Sequence, residues 1–336
     1  MSVSEPVARG ITATRLTLWF IILLILVIGL ALWSLNVGAS RMSLLNVLTG
    51  DPDDRLSKIL FASRLPRTLA LLLAGSALAV AGLILQMMAR NRLVEPSTVG
   101  TMEAAALGLL VLAWLAPGAS LSLRFALVSV FALGGTLIFL AVLRRIALRS
   151  ALIVPLVGLV LAGVIAAAGA LLAQQLDLSQ SLRAWNSGDF SAVLRGRYEL
   201  LWLAAGLTVV AMLAADRFTV IGLGKDFATN VGVNYGRLMG LGLLLVAMIS
   251  ASVVVVVGAI PFIGLVAPNL ARWLCGDQLR RSIPLVALLG SALMLAADLA
   301  GRLIIHPFEV PSSGLLAVTG CLVFLVILIR GRKQWA

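Results

Sequence analysis

Charged residues are scarce in this sequence. Asp, Glu, Lys and Arg make up 12% of the 336 residues, about half the share usual in a soluble domain. With 61% hydrophobic residues and a mean hydropathy of +1.09, that scarcity excludes an ordinary water-soluble globule. The composition is that of an all-α integral membrane protein. Acidic residues are the scarcer sign, 14 against 26 Lys and Arg, for a net charge of +12. Such an excess raises the question of a nucleic-acid partner. The basic residues lie between apolar runs and build no basic face, so nucleic acid is excluded and the charges read as topology signals. Histidine occurs once, at His306, and cysteine twice, at Cys275 and Cys321. A single imidazole without a second ligand nearby makes no metal site, and two thiols in apolar runs read as packing residues. There is no GxxxxGK[ST] loop and no nucleophile–base set. The chain is therefore expected to be no enzyme, to bind no metal or cofactor, and to be unable to hydrolyse ATP by itself. No Ser/Gly-rich, Pro-rich or low-complexity segment divides it. The expectation is one membrane domain over residues 16–330 between short tails, 1–15 and 331–336. The first apolar run lacks a small-residue cleavage site, so it reads as a retained helix rather than a signal peptide.

What the chain does have is long apolar runs. They place spans at 16–35, 65–89, 99–115, 123–143, 151–173, 200–215, 238–257, 262–275, 283–305 and 314–329, about ten in all when each must cross roughly 30 Å. An even number puts both termini on one side, and that side carries the larger share of short-loop Lys and Arg, which makes it the cytoplasm. The run 258–277, GAIPFIGLVAPNLARWLCGD, stands apart because it is apolar yet carries Pro261, Pro268 and Asn269. Inside lipid such breaks persist only where protein or a cavity satisfies the freed backbone groups, so the run reads as a buried working segment with its polar end at a membrane face.

Several other features carry information. Arg64 and Arg67 flank Leu65-Pro66 at the start of the second span, with Pro suited to a first helical turn. Three residues apart, they are expected to project from one face, either as anchors or as a docking point for acidic groups. Residues 89–100, ARNRLVEPSTVG, read as a tight cytoplasmic turn, with Glu103 just inside the next span. Residues 216–237, DRFTVIGLGKDFATNVGVNYGR, are cut by Gly222, Gly224, Gly232 and Gly236 and read as short amphipathic helices lying against a partner. Gly236 and Gly240 form a GxxxG, a signal for close helix packing. The look-alike LLAGSAL (72–78) and LLGSAL (288–293) are attributed to small-residue packing, not to a repeat. Asp298 lies inside a span, a functional candidate by position, with Arg302 one turn on as an ion-pair partner.

RLPR at 64–67, GSALAVAGLILQ at 75–86, RNRLVEPSTVG at 90–100, WNSGDF at 185–190, LGKDFATNVGV at 223–233, GAIPFIGLVAPNLAR at 258–272 and EVP at 309–311 occur in one order on this layout. Together they resemble the FecCD (BtuC-like) permeases of ABC importers for ferric siderophores, haem and vitamin B12. The resemblance covers nearly the whole chain. It implies a ten-helix permease subunit in the inner membrane of a bacterium, paired with a second permease, the same or homologous. It also implies two copies of a cytoplasmic ABC ATPase, which use ATP and Mg, and an external substrate-binding protein. By this likeness Arg64, Arg67 and Arg302 serve binding-protein docking, and Leu223, Gly224, Ala228, Val231, Gly232 and Val233 serve ATPase coupling. Gln86, Asn91, Glu103, Pro261, Pro268, Asn269 and Asp298 are the pathway or structural candidates. The sequence departs from the family pattern at Arg92, Glu103, Asn269, Ser312-Ser313 and Cys321-Leu322. Those departures favour a ferric siderophore system over a B12-type homodimer, and the pattern over 95–103 looks most like permeases for catecholate siderophores. The alternatives are a haem or B12 permease, or a gradient-driven secondary transporter. The last would need an intramembrane relay, for which Asp298 is the one strong candidate.

Overall fold

The computed structural model describes residues 13–38, 58–146, 152–275, 279–305 and 308–335. The regular structure among those residues is all helical, without a strand. In chain order the helices are α1 (Ala13–Asn36), a π-helical turn (Leu60–Arg64) running into α2 (Leu65–Met88), α3 (Thr101–Leu115), α4 (Leu121–Leu143), α5 (Ile153–Gln175) and α6 (Ser179–Asn186). They continue as α7 (Leu200–Leu213), α8 (Ala215–Gly222), α9 (Lys225–Asn230), α10 (Tyr235–Val257), α11 (Ile263–Cys275), α12 (Leu279–Ile304) and α13 (Ser312–Trp335). His306 and Asp277 lie outside the described residues.

Local chemistry sets the boundaries. Pro66 sits in the first turn of α2, where a missing N–H is harmless. Ser120 and Asn234 cap α4 and α10 by accepting the amides of Leu123 and Arg237. Among the described residues six helices are long and apolar enough to cross a bilayer, and the bent pair α7–α8, with a 63° angle, would make seven. Each expected span falls on a helix, but α3, α11 and the apolar part of α13 are shorter than a crossing requires. The expected count of ten is thus not reached on length and apolarity alone.

The helices form one bundle around α2. Its best apolar window is 78% buried, against 17% for α1. A helix apolar on every side belongs in the interior, and α2 packs against α7, α10, α11 and α12. Small residues make these crossings close. A Cβ on Gly75 would lie 2.5 Å from the Gly290 carbonyl oxygen, and one on Gly82 would lie 2.1 Å from that of Gly264. Ser291 Oγ donates to Leu72 O at 2.9 Å. The look-alike segments 72–78 and 288–293 are therefore the two sides of a single α2–α12 crossing, where backbones meet over small side chains. The GxxxG at Gly236 and Gly240 makes no such crossing among the described residues, because both residues are exposed and nothing lies within 4 Å of a Cβ on Gly240. Cys321 is exposed and unpaired rather than packed in the core.

Because the α2–α12 crossing leaves no room for a side chain, Gly290→Val is expected to destabilise the protein by about 1–3 kcal/mol. Thermal unfolding in detergent reads this as a lowered midpoint, and an unchanged midpoint would contradict the crossing.

Candidate functional site

Three structures gather the residues that the sequence singles out. The first lies at the end of the bundle where α2 begins. Asp298 of α12 is buried there and receives two guanidinium groups. Arg67 donates to its Oδ1 from Nε at 3.2 Å and Nη2 at 2.7 Å, and Arg302 donates to its Oδ2. Ser312 Oγ, at the start of α13, donates to Oδ1 at 3.1 Å. Arg67 Nη1 reaches Glu309 Oε2 at 2.8 Å, the part of the network nearest the surface.

The same cations finish α1. The last carbonyls of a helix lack intrahelical donors, and cationic side chains satisfy them and favour the negative end of the dipole. Arg64 Nη1 donates to Leu35 O and Asn36 O at 2.9 and 3.0 Å. Arg302 Nη1 donates to Ser34 O and Val37 O at 3.1 and 3.0 Å. The expectation that Arg64 and Arg67 project together from one face is corrected here. Arg64 is 6% and Arg302 5% exposed, because buried guanidinium groups must be paired and their acceptors come from α1 and Asp298. Spacing within the Arg64–Arg67 segment could not reveal acceptors so distant in sequence. Asp298, the one strong candidate the sequence offers for a gradient-driven relay, is held between two arginines.

The second structure is the proline-bearing run 258–277. α10 stops at Gly258, whose φ of +89° takes it out of the helical region. The chain stays non-helical to Phe262, and α11 then carries Pro268 in its interior. Proline has no N–H, so the carbonyl of Gly264 loses its helical partner. Gln86 Nε2, from α2, donates to that oxygen at 3.2 Å. Asn269 Nδ2 donates to Leu265 O at 2.7 Å and to Arg92 O at 3.0 Å, and Asn269 Oδ1 accepts from Arg272 Nη1 at 3.2 Å.

At the start of α11 the buried Glu95 carboxylate accepts the Phe262 amide at 2.6 Å and the Ser97 hydroxyl. The carboxyl oxygen thereby caps the start of the helix, supplying an acceptor to an amide without an intrahelical partner. Phe262 is held with φ at +67°, uncommon for a residue with a side chain. The segment 89–100 is a turn, as expected, and most of it is buried. Asn91, Leu93, Val94, Glu95, Thr98 and Val99 are buried, and Arg92 is exposed. Asn91 shapes it, accepting Leu93 N at 2.9 Å. Glu95 is the residue that motif reading undervalued, although a lone acid among apolar and turn-forming neighbours was its signal. Glu103, in the first turn of α3, has one buried oxygen without a partner among the described residues, as does Gln86 Oε1.

The third structure is the short-helix segment at the opposite end. The glycines do divide it: Gly224 (φ +113°) separates α8 from α9, and Gly232 (φ +81°) ends α9. The amides of Val233 and Gly232 return to the carbonyls of Ala228 and Thr229 at 2.9 and 3.0 Å. These are the two bonds of a Schellman motif, which requires a left-handed residue at the glycine position. Phe218 and Ile221 of α8 and Ala228 of α9 face inward. Leu223, Phe227 and Val231 point out, 56, 48 and 57% exposed. Motif matching selected Leu223 and Val231 and missed Phe227, which completes the stripe four residues from each. α8 packs on α2, α10 and α12, so this surface stands directly on the bundle's central helices.

Comparison with known proteins gives concordant results. The model of the FecCD transport family matches residues 20–330. The chain is similar to the petrobactin import system permease protein FatD of Bacillus anthracis, 42% identical over 314 residues that cover 94% of this chain and 92% of that one. It is similar to the petrobactin import system permease protein YclN of Bacillus subtilis, 39% identical, with 94% and 98% covered. Among solved structures it resembles a metal-chelate type ABC transporter in an inward-facing conformation, with a TM-score of 0.77, 26% identity, and 93% and 98% covered.

Asp298→Asn leaves the buried Arg302 and the part-buried Arg67 short of their shared counter-charge, a change expected to cost about 3–5 kcal/mol. The readout is the thermal midpoint together with proteolysis between α1 and α2. A variant as stable as the parent would show that the network does not hold the helix ends.

Proposed function

Since the chain belongs to the FecCD transport family, we propose that it is the membrane permease of a binding-protein-dependent ABC importer for a ferric siderophore. A catecholate-type chelate is the favoured substrate class. The observation that carries this reading is the likeness, over nearly the full length of each protein, to permeases named for petrobactin import. The same reading supplies the partners. They are a second permease subunit, two copies of a cytoplasmic ATPase that hydrolyses ATP with Mg, and an external binding protein that delivers the chelate. It also sets the membrane as the bacterial inner membrane, with both termini in the cytoplasm.

The mechanism follows from what the two ends share. The ATPase pair seats on α8 and α9, with Leu223, Phe227 and Val231 as the apolar contact. The left-handed glycines fix the angle of those short helices, so closure of the ATPases moves α8 rather than bending it. α8 rests on α2 and α12, the helices that carry the Arg67–Asp298–Arg302 network at the other end. A push at one end therefore reaches the binding-protein end through two closely crossed helices. There Arg67 exchanges its rim contact with Glu309 for acidic groups of the binding protein, while Arg64 and Arg302 hold the end of α1 behind it. Exposed charge pairs of this kind steer and orient a partner more than they tighten it.

Leu223→Asp combined with Phe227→Asp breaks the exposed stripe without touching the buried face of either short helix. Retention of the ATPase during purification is expected to fall at least about tenfold, as for the loss of central apolar anchors, with membrane insertion unchanged. Undiminished retention would move the ATPase seat elsewhere.

A further inference from the structure

Beside the coupling segment lies a cavity of about 400 Å³, within the ~300–1,000 Å³ range of small-molecule sites. Its rim is formed by Arg217 of α8 and Arg237 of α10, and its wall by Val233, Asn234, Leu238 and Leu241. Both arginines are exposed, and neither guanidinium has an acceptor among the described residues. This contrasts with Arg64, Arg67 and Arg302, whose guanidinium groups are all engaged.

The wall continues along the bundle. Arg237, Leu241 and Leu244 follow one another at four and three residues on one face of α10, and Leu244 is exposed. On the neighbouring α7, Val209 and Val210 are exposed and Leu213 is 82% exposed at the last position. α7 and α10 pack together. Two cations without an acceptor among the described residues thus stand where these helices end, above an apolar surface that runs along the membrane-crossing part.

We propose that this cavity seats an anionic phospholipid of the adjacent leaflet. The phosphate lies between Arg217 and Arg237, near the positive end of α10, and an acyl chain runs along Leu241 and Leu244. Guanidinium groups match phosphate oxygens in paired geometry, the helix start adds favourable potential, and membrane-surface cations attract anionic lipid. An acidic side chain of a docked protein would use the rim but leave the apolar wall uncovered. A lipid satisfies both. Because Arg217 is on α8 and Arg237 on α10, the bound phosphate would tie the coupling segment to a span. Lipid composition would then tune how firmly α8 follows a push. The lipid site itself does not depend on the importer reading.

The test uses the intact protein, extracted with its bound subunits and analysed by native mass spectrometry in mixed micelles. The probes are phosphatidylglycerol, phosphatidylcholine and inorganic phosphate. The parent is expected to retain phosphatidylglycerol at least about fivefold over phosphatidylcholine, as electrostatic lipid recognition requires. Phosphate alone should not displace it. Arg217→Gln combined with Arg237→Gln should lose the preference while keeping the parent's thermal midpoint in phosphatidylcholine. Equal retention of both lipids by the parent, or a preserved preference in the double variant, would overturn the proposal. So would displacement by phosphate alone, or a double variant that sheds the ATPase while still holding phosphatidylglycerol. If the double variant does not fold, Leu241→Asn with Leu244→Asn tests the apolar wall: loss of the preference supports the proposal and its persistence overturns it.

Discussion

Inside a bilayer no water is present to satisfy a broken helix, so each freed backbone group needs a partner from the protein. The run 258–277 shows that constraint at its most demanding, with a non-helical entry, a left-handed Phe262 and a proline within α11. Glu95, Gln86 and Asn269 meet the demand. They supply an acceptor to the helix start, a donor to the carbonyl orphaned by Pro268, and a donor to the carbonyl after it. Two of the three come from outside the run. That fixes α11 against α2 and draws the 89–100 segment into the bundle. The α2–α11 crossing at Gly82 and Gly264 brings Gln86 within reach, so packing and hydrogen bonding depend on each other.

The same rule governs the opposite end. The last carbonyls of α1 are satisfied by Arg64 and Arg302, and the charge brought in to do this is balanced by Asp298. Burial of charge is tolerated because the set is shared: Asp298 serves two arginines, and Arg67 reaches out to Glu309. α2 and α12 carry this network at one end and bear α8 at the other. A permease driven from one face and loaded from the other needs a rigid connection of this kind.

Much of this was legible in the sequence. Composition alone separates the chain from soluble proteins, and each apolar run became a helix. The prolines of 258–277 correctly marked a buried, interrupted segment, and the glycines of 216–237 marked the divisions between short helices. What the sequence could not show was where a side chain finds its partner. Arg64 and Arg67 look like a surface pair because their acceptors lie on α1 and α12, far along the chain. Segment 89–100 is a turn, as its sequence indicates, but nothing local shows that Glu95 caps a helix formed by residues 263–275. Phe227 escaped notice because motif matching weighs glycines and neighbours, whereas exposure depends on which side of a six-residue helix faces the bundle. Span number is not settled by length and apolarity, since α3, α11 and the apolar part of α13 are short.

The measurement that bears most directly on the account is uptake of a radiolabelled ferric catecholate by proteoliposomes containing the assembled importer. The account predicts uptake that requires the binding protein outside and hydrolysable ATP at the ATPase face, and that collapses with a non-hydrolysable analogue. Uptake that continues without ATP and follows an imposed proton or sodium gradient would contradict it.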